Sequence, residues 1–433
     1  MTTKVITAAN KIDCEHLLAT FVDHSHYDTL VEYDCDFYAP SIDGINSEKN
    51  ILFKFRKNWF TKEQQDLAYA GLRIAALTPT QNRGVAAGPR LQTLNSRDWV
   101  TKYHDEVLDA LIKNERTIDG SSQVQNVINK WKDKDKSEGG SRATVWIRSK
   151  VDDEGFVWDE WLSDVLIMPS DKASIEAKRV REKLTSLTTY AATVFSGIAG
   201  FFDRYPRIPY GRATSFTSNK PDKFAMGFPF LQNLSRGFEQ LLPERFAKQK
   251  EACNKLDQRF IIPGTVFTTL TVNKTFRTAA HRDAGDLNEG FSNLTVVSNN
   301  GKYKGGYLVL PEYRVAVNIR PGDLLLINNH EGIHGNTEMI VEDPEAERIS
   351  FVSYFREKML ELGSWEYELT RKNYVEERRK NKDHPLQREL WNGISEKMWQ
   401  ETEWYDYLES KLGKDQLYKY HPEASKSSLE NFF

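Results

Sequence analysis

The sequence has little cysteine, little net charge and no long apolar run. Its 433 residues contain three cysteines, Cys14, Cys35 and Cys253, which are too few and too scattered for a disulfide framework or a thiolate zinc site. The formal net charge of -3 excludes a strongly cationic chain, although a local basic groove could still neutralise phosphates. No stretch approaches the roughly 18 apolar residues of a membrane span, and Met1 does not open a signal-like segment. These absences predict a soluble intracellular protein that does not enter a membrane.

The length and the patterning of the chain predict an α+β fold in three regions. A chain this long exceeds what one compact core usually holds, so additions to a catalytic core are expected. Residues 1–168 mix strand-like and helical runs, which predicts an N-terminal α/β region of unknown role. Within it, the charged, glycine-ended stretch 131–140 predicts an exposed loop. Residues 361–433 are polar, aromatic and helical in pattern, which predicts a C-terminal helical extension whose tryptophans anchor packing.

Residues 169–360 have the pattern expected of a catalytic β domain. A helical pattern from Asp171 to about Phe202 predicts a supporting helix that ends at the following Asp203-Arg-Tyr-Pro206. From Arg212 to Met359, short apolar strands alternate with turn residues, which is typical of a β sandwich or jelly roll.

The pair His281 and Asp283 is the first candidate for chemistry. On an extended strand, residues two apart point to the same side, so both side chains can reach one metal ion while Arg282 faces away. An apolar run, Leu324–Ile327, leads to the third candidate, His334. Two imidazoles and one carboxylate bind one face of a ferrous ion and leave the other face open, as in non-haem iron oxygenases.

Other histidines compete for the same role. His330 lies close to His334 in sequence, but we favour His334 because the Gly335-Asn336 that follows it permits a tight backbone approach. His24 and His26 also have ligand spacing, yet no strand precedes them. Strand-end polar residues satisfied by loop backbone are the alternative interpretation for the whole set.

Arg348 predicts an anchor for an acidic cosubstrate. It opens a strand on which Arg348, Ser350, Val352, Tyr354 and Arg356 share one face. A guanidinium there can bind the distal carboxylate of 2-oxoglutarate bidentately, while the other end of the keto acid chelates iron and one position stays free for O2. Ser350 could add a hydrogen bond. Asn273 could support the near end of the cosubstrate, or it could simply cap a turn. Arg356 itself is expected to be a surface residue.

Several ordered motifs between residues 205 and 360 resemble the TET/JBP family of iron and 2-oxoglutarate dioxygenases, and the J-binding-protein thymidine hydroxylases and their phage relatives in particular. The segments that carry the resemblance are Thr269–Lys274, Ala280–Phe291, Gly305–Val317, Arg320–Leu326, His334–Thr337 and Arg348–Arg356. The resemblance implies a double-stranded β-helix core, with His281, Asp283 and His334 as iron ligands and Arg348 as the 2-oxoglutarate anchor.

The resemblance also implies a substrate, the 5-methyl group of thymine or 5-methylcytosine in DNA. Such a methyl group cannot reach a buried iron from within the stacked duplex, so a flipped base or a single strand is expected. Arg204, Arg207, Tyr210 and Arg212 are candidates for DNA contact, with a solvated connecting loop as the alternative. Unlike the animal TET proteins, the chain has no cysteine-rich zinc region before the core, and no match to a J-binding DNA module is found.

Two other functions remain open at this point. The same chemistry could act on a free nucleotide, an RNA or a protein side chain, because the fold does not fix the substrate. A non-catalytic nucleic-acid-binding module is the other possibility. Retention of the three ligands and Arg348 argues against it, since a binding module has no need of them.

Overall fold

The computed structural model describes residues 2–89, 192–204, 210–283, 285–380 and 400–420, together with the backbone of six short strands between 91 and 190. The chain divides into two compact units. The first comprises Met1–Gly88, Thr193–Gln387 and Ser395–Phe433, and the second comprises Pro89–Ala192 and Arg388–Ile394. None of the described helices is long and apolar enough to cross a membrane.

The described strands are numbered here in chain order. Before residue 89 they are β1 (Lys4–Thr7), β2 (Thr29–Val31), β3 (Cys35–Tyr38), β4 (Ile51–Arg56) and β5 (Pro79–Thr80). Those of the second unit are β6 (Leu91–Asn95), β7 (Ala143–Arg148), β8 (Val151–Asp152), β9 (Gly155–Phe156), β10 (Val165–Ile167) and β11 (Leu184–Tyr190). The remainder are β12 (Val194–Arg204), β13 (Tyr210–Ala213), β14 (Thr269–Lys274), β15 (Ser292–Ser298), β16 (Tyr303–Gly305), β17 (Leu308–Leu310), β18 (Val315–Val317), β19 (Leu324–Ile327), β20 (Gly335–Asn336), β21 (Met339–Val341) and β22 (Arg348–Tyr354).

A ten-stranded sheet is the framework of the first unit. Its strand order is β1-β3-β4-β19-β15-β22-β14-β12-β13, and β5 pairs with the start of β12. β1 runs parallel to β3, and the other neighbours run antiparallel. Nearly every residue of the central strand β15 is buried, as is β19 throughout. A strand buried on both faces needs a cover on each side of the sheet.

Helices cover one face of this sheet. The described helices are α1 (Lys62–Leu72), α2 (Ser215–Asn219), α3 (Pro221–Met226), α4 (Phe228–Leu241), α5 (Pro243–Lys255), α6 (Trp365–Lys380), α7 (Glu401–Leu412) and α8 (Lys414–Tyr420). On α4, Phe230, Leu234 and Phe238 are spaced to share one helix face, and all three are fully buried. The ring of Phe230 lies 5.5 Å from that of Phe351 on β22, so α4 packs directly on the sheet.

A second sheet covers the opposite face. Its strand order is β2-β18-β17-β20, and β2 runs parallel to β18. Leu308 and Val317 from this small sheet belong to the same buried cluster as Leu294 and Val296 of β15. The two sheets therefore face each other across an apolar layer, and the strands that carry the candidate site lie on either side of it.

The predicted supporting helix over Asp171–Phe202 is wrong wherever its residues are described. Residues 184–190 and 194–204 form strands, and β12 pairs with β14 from Ser196 to Gly200. The apolar residues of this segment fit both the 3.6-residue period of a helix and the two-residue period of a strand. Its two glycines, Gly197 and Gly200, each disfavour a helix by about 1 kcal/mol relative to alanine. The helices that support the sheet are α1, α4 and α5 instead. The part of the prediction before Leu184 lies outside the described residues.

The boundary predicted at residues 168 and 169 also differs from the observed division. Strands from the first 56 residues extend the large sheet, since Phe53 of β4 pairs with Ile327 of β19, and β2 completes the small sheet. The predicted loop at 131–140 lies outside the described residues. After residue 361 the described chain is helical, and Trp404 is fully buried; Trp391 and Trp399 lie outside the described part.

Gly197 allows β12 to pass very close to a neighbouring turn. A Cβ atom placed on Gly197 would lie 1.8 Å from the backbone oxygen of Ala75. We expect Gly197→Ala to lower the free energy of unfolding by about 3 kcal/mol, because backbone must shift to make room. Urea denaturation measures this loss. Gly301→Ala is the control: its methyl group would meet open space, so only the positive φ of 69° costs energy, about 1 kcal/mol. Equal losses in both variants would contradict the close approach.

Candidate active site

His281, Asp283 and His334 converge at one cavity. One ligand atom from each lies within 4.8 Å of the others. Asp283 Oδ1 is 3.3 Å from His281 Nε2, and Asp283 Oδ2 is 3.9 Å from His334 Nε2. Within the described part of the chain, this is the one group of three or more histidine, cysteine or acidic side chains arranged to hold a metal ion.

The backbone fixes the two histidines relative to each other. His281 and His334 form an isolated antiparallel bridge in which each N–H donates to the other's carbonyl oxygen at 2.9 Å. The N–H of Asp283 donates to the carbonyl of Asn329 at 3.0 Å, and the Asn329 side-chain amide donates to Asp283 Oδ2 at 3.2 Å. The loop that follows β19 thus binds the His281–Asp283 segment along its length.

Both imidazole rings are oriented by main-chain carbonyls. His281 Nδ1 lies 2.7 Å from the oxygen of Ala279, and His334 Nδ1 lies 3.1 Å from the oxygen of Gly332. A carbonyl oxygen can only accept, so each Nδ1 carries a hydrogen, and Nε2 is the nitrogen whose lone pair a metal ion would take when the ring is neutral. The expected tight approach after His334 is present, because a Cβ atom on Gly335 would lie 3.0 Å from the backbone nitrogen of Ala280.

The charge states suit metal binding. Burial alone would raise the pKa of Asp283, but the hydrogen bond from His281 and the nearby imidazoles lower that pKa to about 2. Burial lowers the pKa of His334 to about 4, and the charge on His281 adds to the effect. At His281 burial is opposed by the Asp283 carboxylate, and the pKa rises, so a metal ion would displace a proton there.

The competing histidines lie elsewhere. His330 is outside the three-residue group and lines a separate, smaller recess beside Asn329, where its Nδ1 is buried. His24 and His26 belong to a short 3-10 helix, in which His26 Nδ1 lies 2.9 Å from the carboxylate of Asp23. His26 thus takes part in a helix cap.

The cavity has a volume of about 430 Å³ and lies between the two sheets. Asn273 and Ser350, which pair across β14 and β22, both line it. Arg348 lines it as well, and is 4 % exposed. One guanidinium nitrogen of Arg348 donates to the oxygen of Gly306 at 3.4 Å, while its Nε is buried without a partner among the described residues. Burial lowers the pKa of Arg348.

Several cavity residues were missed or misjudged from the sequence. Arg356 is not a surface residue: it lines the cavity, and its Nε donates to the buried carboxylate of Asp203. The signal was present, because the alternation along β22 puts Arg356 on the same face as Arg348. Asp286 and Arg83 also line the cavity. Asp286 accepts a hydrogen bond from Ser292 at 2.9 Å, and burial, with the nearby Asp283, raises its pKa to about 7.

Of the predicted DNA contacts, the two with described side chains, Tyr210 and Arg212, do not line the cavity. Tyr210 is 1 % exposed, so its ring is part of the interior, which corrects its assignment as a contact residue. Arg212 lies over the ring of Phe202 at 4.9 Å and lines a different groove. Arg207 lies outside the described residues, and for Arg204 only the backbone is described.

The family comparison matches the part of the chain that holds the triad. Residues 197–357 match the Tet_JBP family model, described as the oxygenase domain of the 2OGFeDO superfamily. These residues are therefore similar to the oxygenase domain of the TET/JBP family. The match includes the strands β14, β15 and β22 and all three converging side chains. It does not include the first 196 residues, which supply Arg83, the strands β1, β3, β4 and β5 of the large sheet, and β2 of the small sheet.

Individual relatives agree with this assignment. The chain is similar to thymine dioxygenase JBP1 of Leishmania braziliensis, with 35% identity over 191 residues, covering 43% of this chain and 23% of that protein. Thymine dioxygenase JBP1-B of Trypanosoma cruzi is 37% identical over 182 residues, covering 41% and 21%. The bifunctional helicase and thymine dioxygenase JBP2 of Leishmania tarentolae is 33% identical over 186 residues, covering 42% and 16%. The chain thus spans less than a quarter of the length of these relatives.

A solved structure, NgTET1 in complex with 5mC DNA, aligns over 88% of this chain and 91% of its own. Its TM-score is 0.41 at 10% identity, and the assignment does not depend on it.

Proposed function

We propose that this chain is a 2-oxoglutarate-dependent dioxygenase that hydroxylates the 5-methyl group of a pyrimidine in DNA. Thymine is the first candidate base, giving 5-hydroxymethyluracil, and 5-methylcytosine is the second. The observation that carries the proposal is the position of a buried arginine, Arg348, which has no carboxylate partner among the described residues and lies in the same cavity as a His-Asp-His triad. Neither feature has a use in a module that only binds nucleic acid.

The triad fits Fe(II). His334 presents an Nε2 lone pair, His281 would do so once a metal ion displaces its proton, and Asp283 is ionised, so the donor set is two imidazole nitrogens and one carboxylate oxygen. This set occupies one face of an octahedral ion and leaves the other open for a cosubstrate and O2. The separations between the ligand atoms allow all three to reach a single ion.

The rest of the cavity fits 2-oxoglutarate. The buried Nε of Arg348 lacks a partner among the described residues, and a carboxylate would provide one. Ser350 is on the same face of β22 and offers a hydroxyl group. Asn273 lies opposite Ser350 on β14, although its side-chain oxygen already accepts a hydrogen bond from Ser196. When bound, iron and 2-oxoglutarate would activate O2, the oxidant: one of its oxygen atoms goes to succinate as the keto acid loses CO2, and the other becomes the hydroxyl group of the product.

The size and position of the cavity suit an extruded base. A volume of about 430 Å³ is within the range of small-molecule sites, which run from roughly 300 to 1,000 Å³. A base in a stacked duplex could not place its methyl group beside the triad, so the nucleotide must be flipped or single-stranded, at a cost of a few kcal/mol. The names of the curated relatives, thymine dioxygenases, support thymine as the substrate base.

We further propose that the two facing sheets are the double-stranded β-helix of this enzyme superfamily. The large sheet contributes β14, β15, β19 and β22, and the small sheet contributes β17, β18 and β20. The shared apolar cluster and the cavity between them support this reading. On this proposal, the strands from the first 56 residues widen the large sheet and add an edge to the small one.

The test is nucleoside mass spectrometry on DNA incubated with the protein, Fe(II), ascorbate and 2-oxoglutarate. We expect thymidine to gain one oxygen, with one succinate formed per oxidised base. An oxygen gained by 5-methyldeoxycytidine alone would identify 5-methylcytosine as the substrate base. Succinate formation with unmodified DNA, but with an oxidised nucleotide, RNA or protein, would overturn the DNA substrate. Absence of 2-oxoglutarate turnover with every substrate would overturn the enzymatic proposal altogether.

A further inference from the structure

Arg83 is a cation in the cavity for which the described residues provide no ion pair. Its guanidinium lines the cavity together with the triad, and its Nε is buried without a hydrogen-bond partner. In the described portion of the chain, no side chain forms an ion pair or hydrogen bond with it. Burial lowers the pKa of Arg83, and the charges of Tyr354 and Asp283 act in the opposite direction. A partly desolvated cation of this kind is costly unless a ligand supplies its partner.

The segment that carries Arg83 is held at the mouth of the cavity. It is a short 3-10 turn, Gly84–Ala87, whose Ala86 carbonyl accepts a hydrogen bond from the N–H of Ala279 at 2.9 Å. That bond ties the segment to the chain two residues before His281. Asn82 and Val85 also line the cavity but are exposed to solvent, so the segment forms the rim. Its residues lie outside the part of the chain that matches the TET/JBP family.

The other basic side chains of the cavity are already accounted for. Arg282 pairs with Glu15, and Arg356 pairs with Asp203. Arg348 is assigned to the cosubstrate, and Asp283 to the metal ion. Arg83 is therefore the cation left over among the described lining residues, and its partner has to arrive with the substrate.

We propose that Arg83 binds a backbone phosphate of the nucleotide whose base enters the cavity. This inference rests on the proposed function. The partner is a phosphate because a desolvated guanidinium requires an anion, whereas the pyrimidine base is neutral; the planar fork of arginine also matches two phosphate oxygens. An extruded nucleotide carries its own phosphates to the rim of the cavity, which is where the Arg83 segment lies.

The experiment is a measurement of DNA affinity at a series of salt concentrations. A thymidine-containing single-stranded oligonucleotide is bound by the wild-type protein under anaerobic conditions, with Fe(II) and 2-oxoglutarate present. We expect Arg83→Gln to weaken binding at low salt roughly tenfold to a hundredfold. The slope of log affinity against log salt should fall by about 0.7, the counterion release for one phosphate on a single strand.

Two further variants serve as controls. Arg83→Lys keeps the charge and should retain most of the slope, although it loses the bidentate geometry. Lys62→Gln removes one positive charge from an exposed position of α1, away from the cavity, and should leave both affinity and slope unchanged. A structural role for Arg83 would weaken binding in Arg83→Lys as much as in Arg83→Gln.

An oligonucleotide with a neutral methylphosphonate next to the target thymidine identifies the contact. It should weaken binding by the wild-type protein but add nothing further to the loss in Arg83→Gln. The inference would be overturned if the losses from the methylphosphonate and from Arg83→Gln were additive, or if Arg83→Gln lost affinity without a change in the salt slope. Arg83 would then contact the base or serve the fold. A raised 2-oxoglutarate requirement alone would overturn it too. If the wild-type protein oxidises no base in DNA, the proposed function fails first; if it does, and Arg83→Gln binds normally, only this inference fails.

Discussion

We expect Asp283→Ala to abolish Fe(II)-dependent succinate formation, and this is the largest effect that we expect from any substitution. Asp283 is the one anionic donor of the triad, and it is also the group that both imidazoles face. Without it, two neutral nitrogens remain, and they cannot hold Fe(II) on one face of an octahedron. We expect the rate to fall roughly a thousandfold or more, which corresponds to about 4 kcal/mol.

The measurement has two parts, iron binding and turnover. Titration with Fe(II) under anaerobic conditions should lose its saturable phase in Asp283→Ala, and succinate formation should fall with it. The fold should remain, because removing a buried carboxylate leaves only the Asn329 amide and the His281 ring to be satisfied by water. Asp66→Ala, at an exposed position of α1, is the matched control. Normal iron binding by Asp283→Ala would place the metal elsewhere.

Local periodicity explains why much of the site was predictable. On β22 the alternation of side chains puts Arg348, Ser350, Val352, Tyr354 and Arg356 on one face, and all five line the cavity. The same period puts His281 and Asp283 within reach of one ion. Such arguments need only the geometry of a single extended segment, so they hold before the tertiary structure is known.

Contacts between distant segments explain what was not predictable. Arg83 precedes His281 by nearly two hundred residues, and nothing in its local sequence indicates that its turn docks beside Ala279. β4 likewise pairs with β19, which lies far from it in the sequence. The sequence pattern therefore suggested that the first 88 residues are separate from the β domain, whereas they belong to the same compact unit. The apolar pattern of β12 fits a helix nearly as well as a strand, and the pairing of β12 with β14 and β13, which are later segments of the chain, makes it a strand.

Asp286 is a different case, because the sequence shows an acidic residue there but does not predict that its carboxyl group is buried. A carboxylate three residues after Asp283 in a loop would ordinarily be a solvated turn residue. Its burial comes from the approach of β22 and from Ser292, neither of which the local pattern specifies. Charge and burial at such positions depend on the tertiary fold, which is why the polar lining of the cavity was underestimated.

Arg348→Ala gives the second large effect, and it separates binding of the cosubstrate from stability. The guanidinium is 4 % exposed, and it donates to the carbonyl oxygen of Gly306 but has no carboxylate partner among the described residues, so its charge is offset only in part. Truncating one member of a buried charge pair costs roughly 2–5 kcal/mol of binding, so the 2-oxoglutarate requirement should rise about a hundredfold. Removing a buried charge that has no ion-pair partner should not lower the free energy of unfolding, and can raise it.

These two readouts together distinguish an anchor from a structural arginine. Titration of succinate formation against 2-oxoglutarate measures the 2-oxoglutarate requirement, and urea denaturation without 2-oxoglutarate measures the free energy of unfolding. Arg348→Lys should lie between wild type and alanine, because lysine keeps the charge but not the two parallel hydrogen bonds. Lys302→Ala, at an exposed position paired with Asp343, is the charge-loss control. An unchanged 2-oxoglutarate requirement in Arg348→Ala, or a large loss of stability, would mean that the buried guanidinium serves the fold, and the triad would then need another anchor for its cosubstrate.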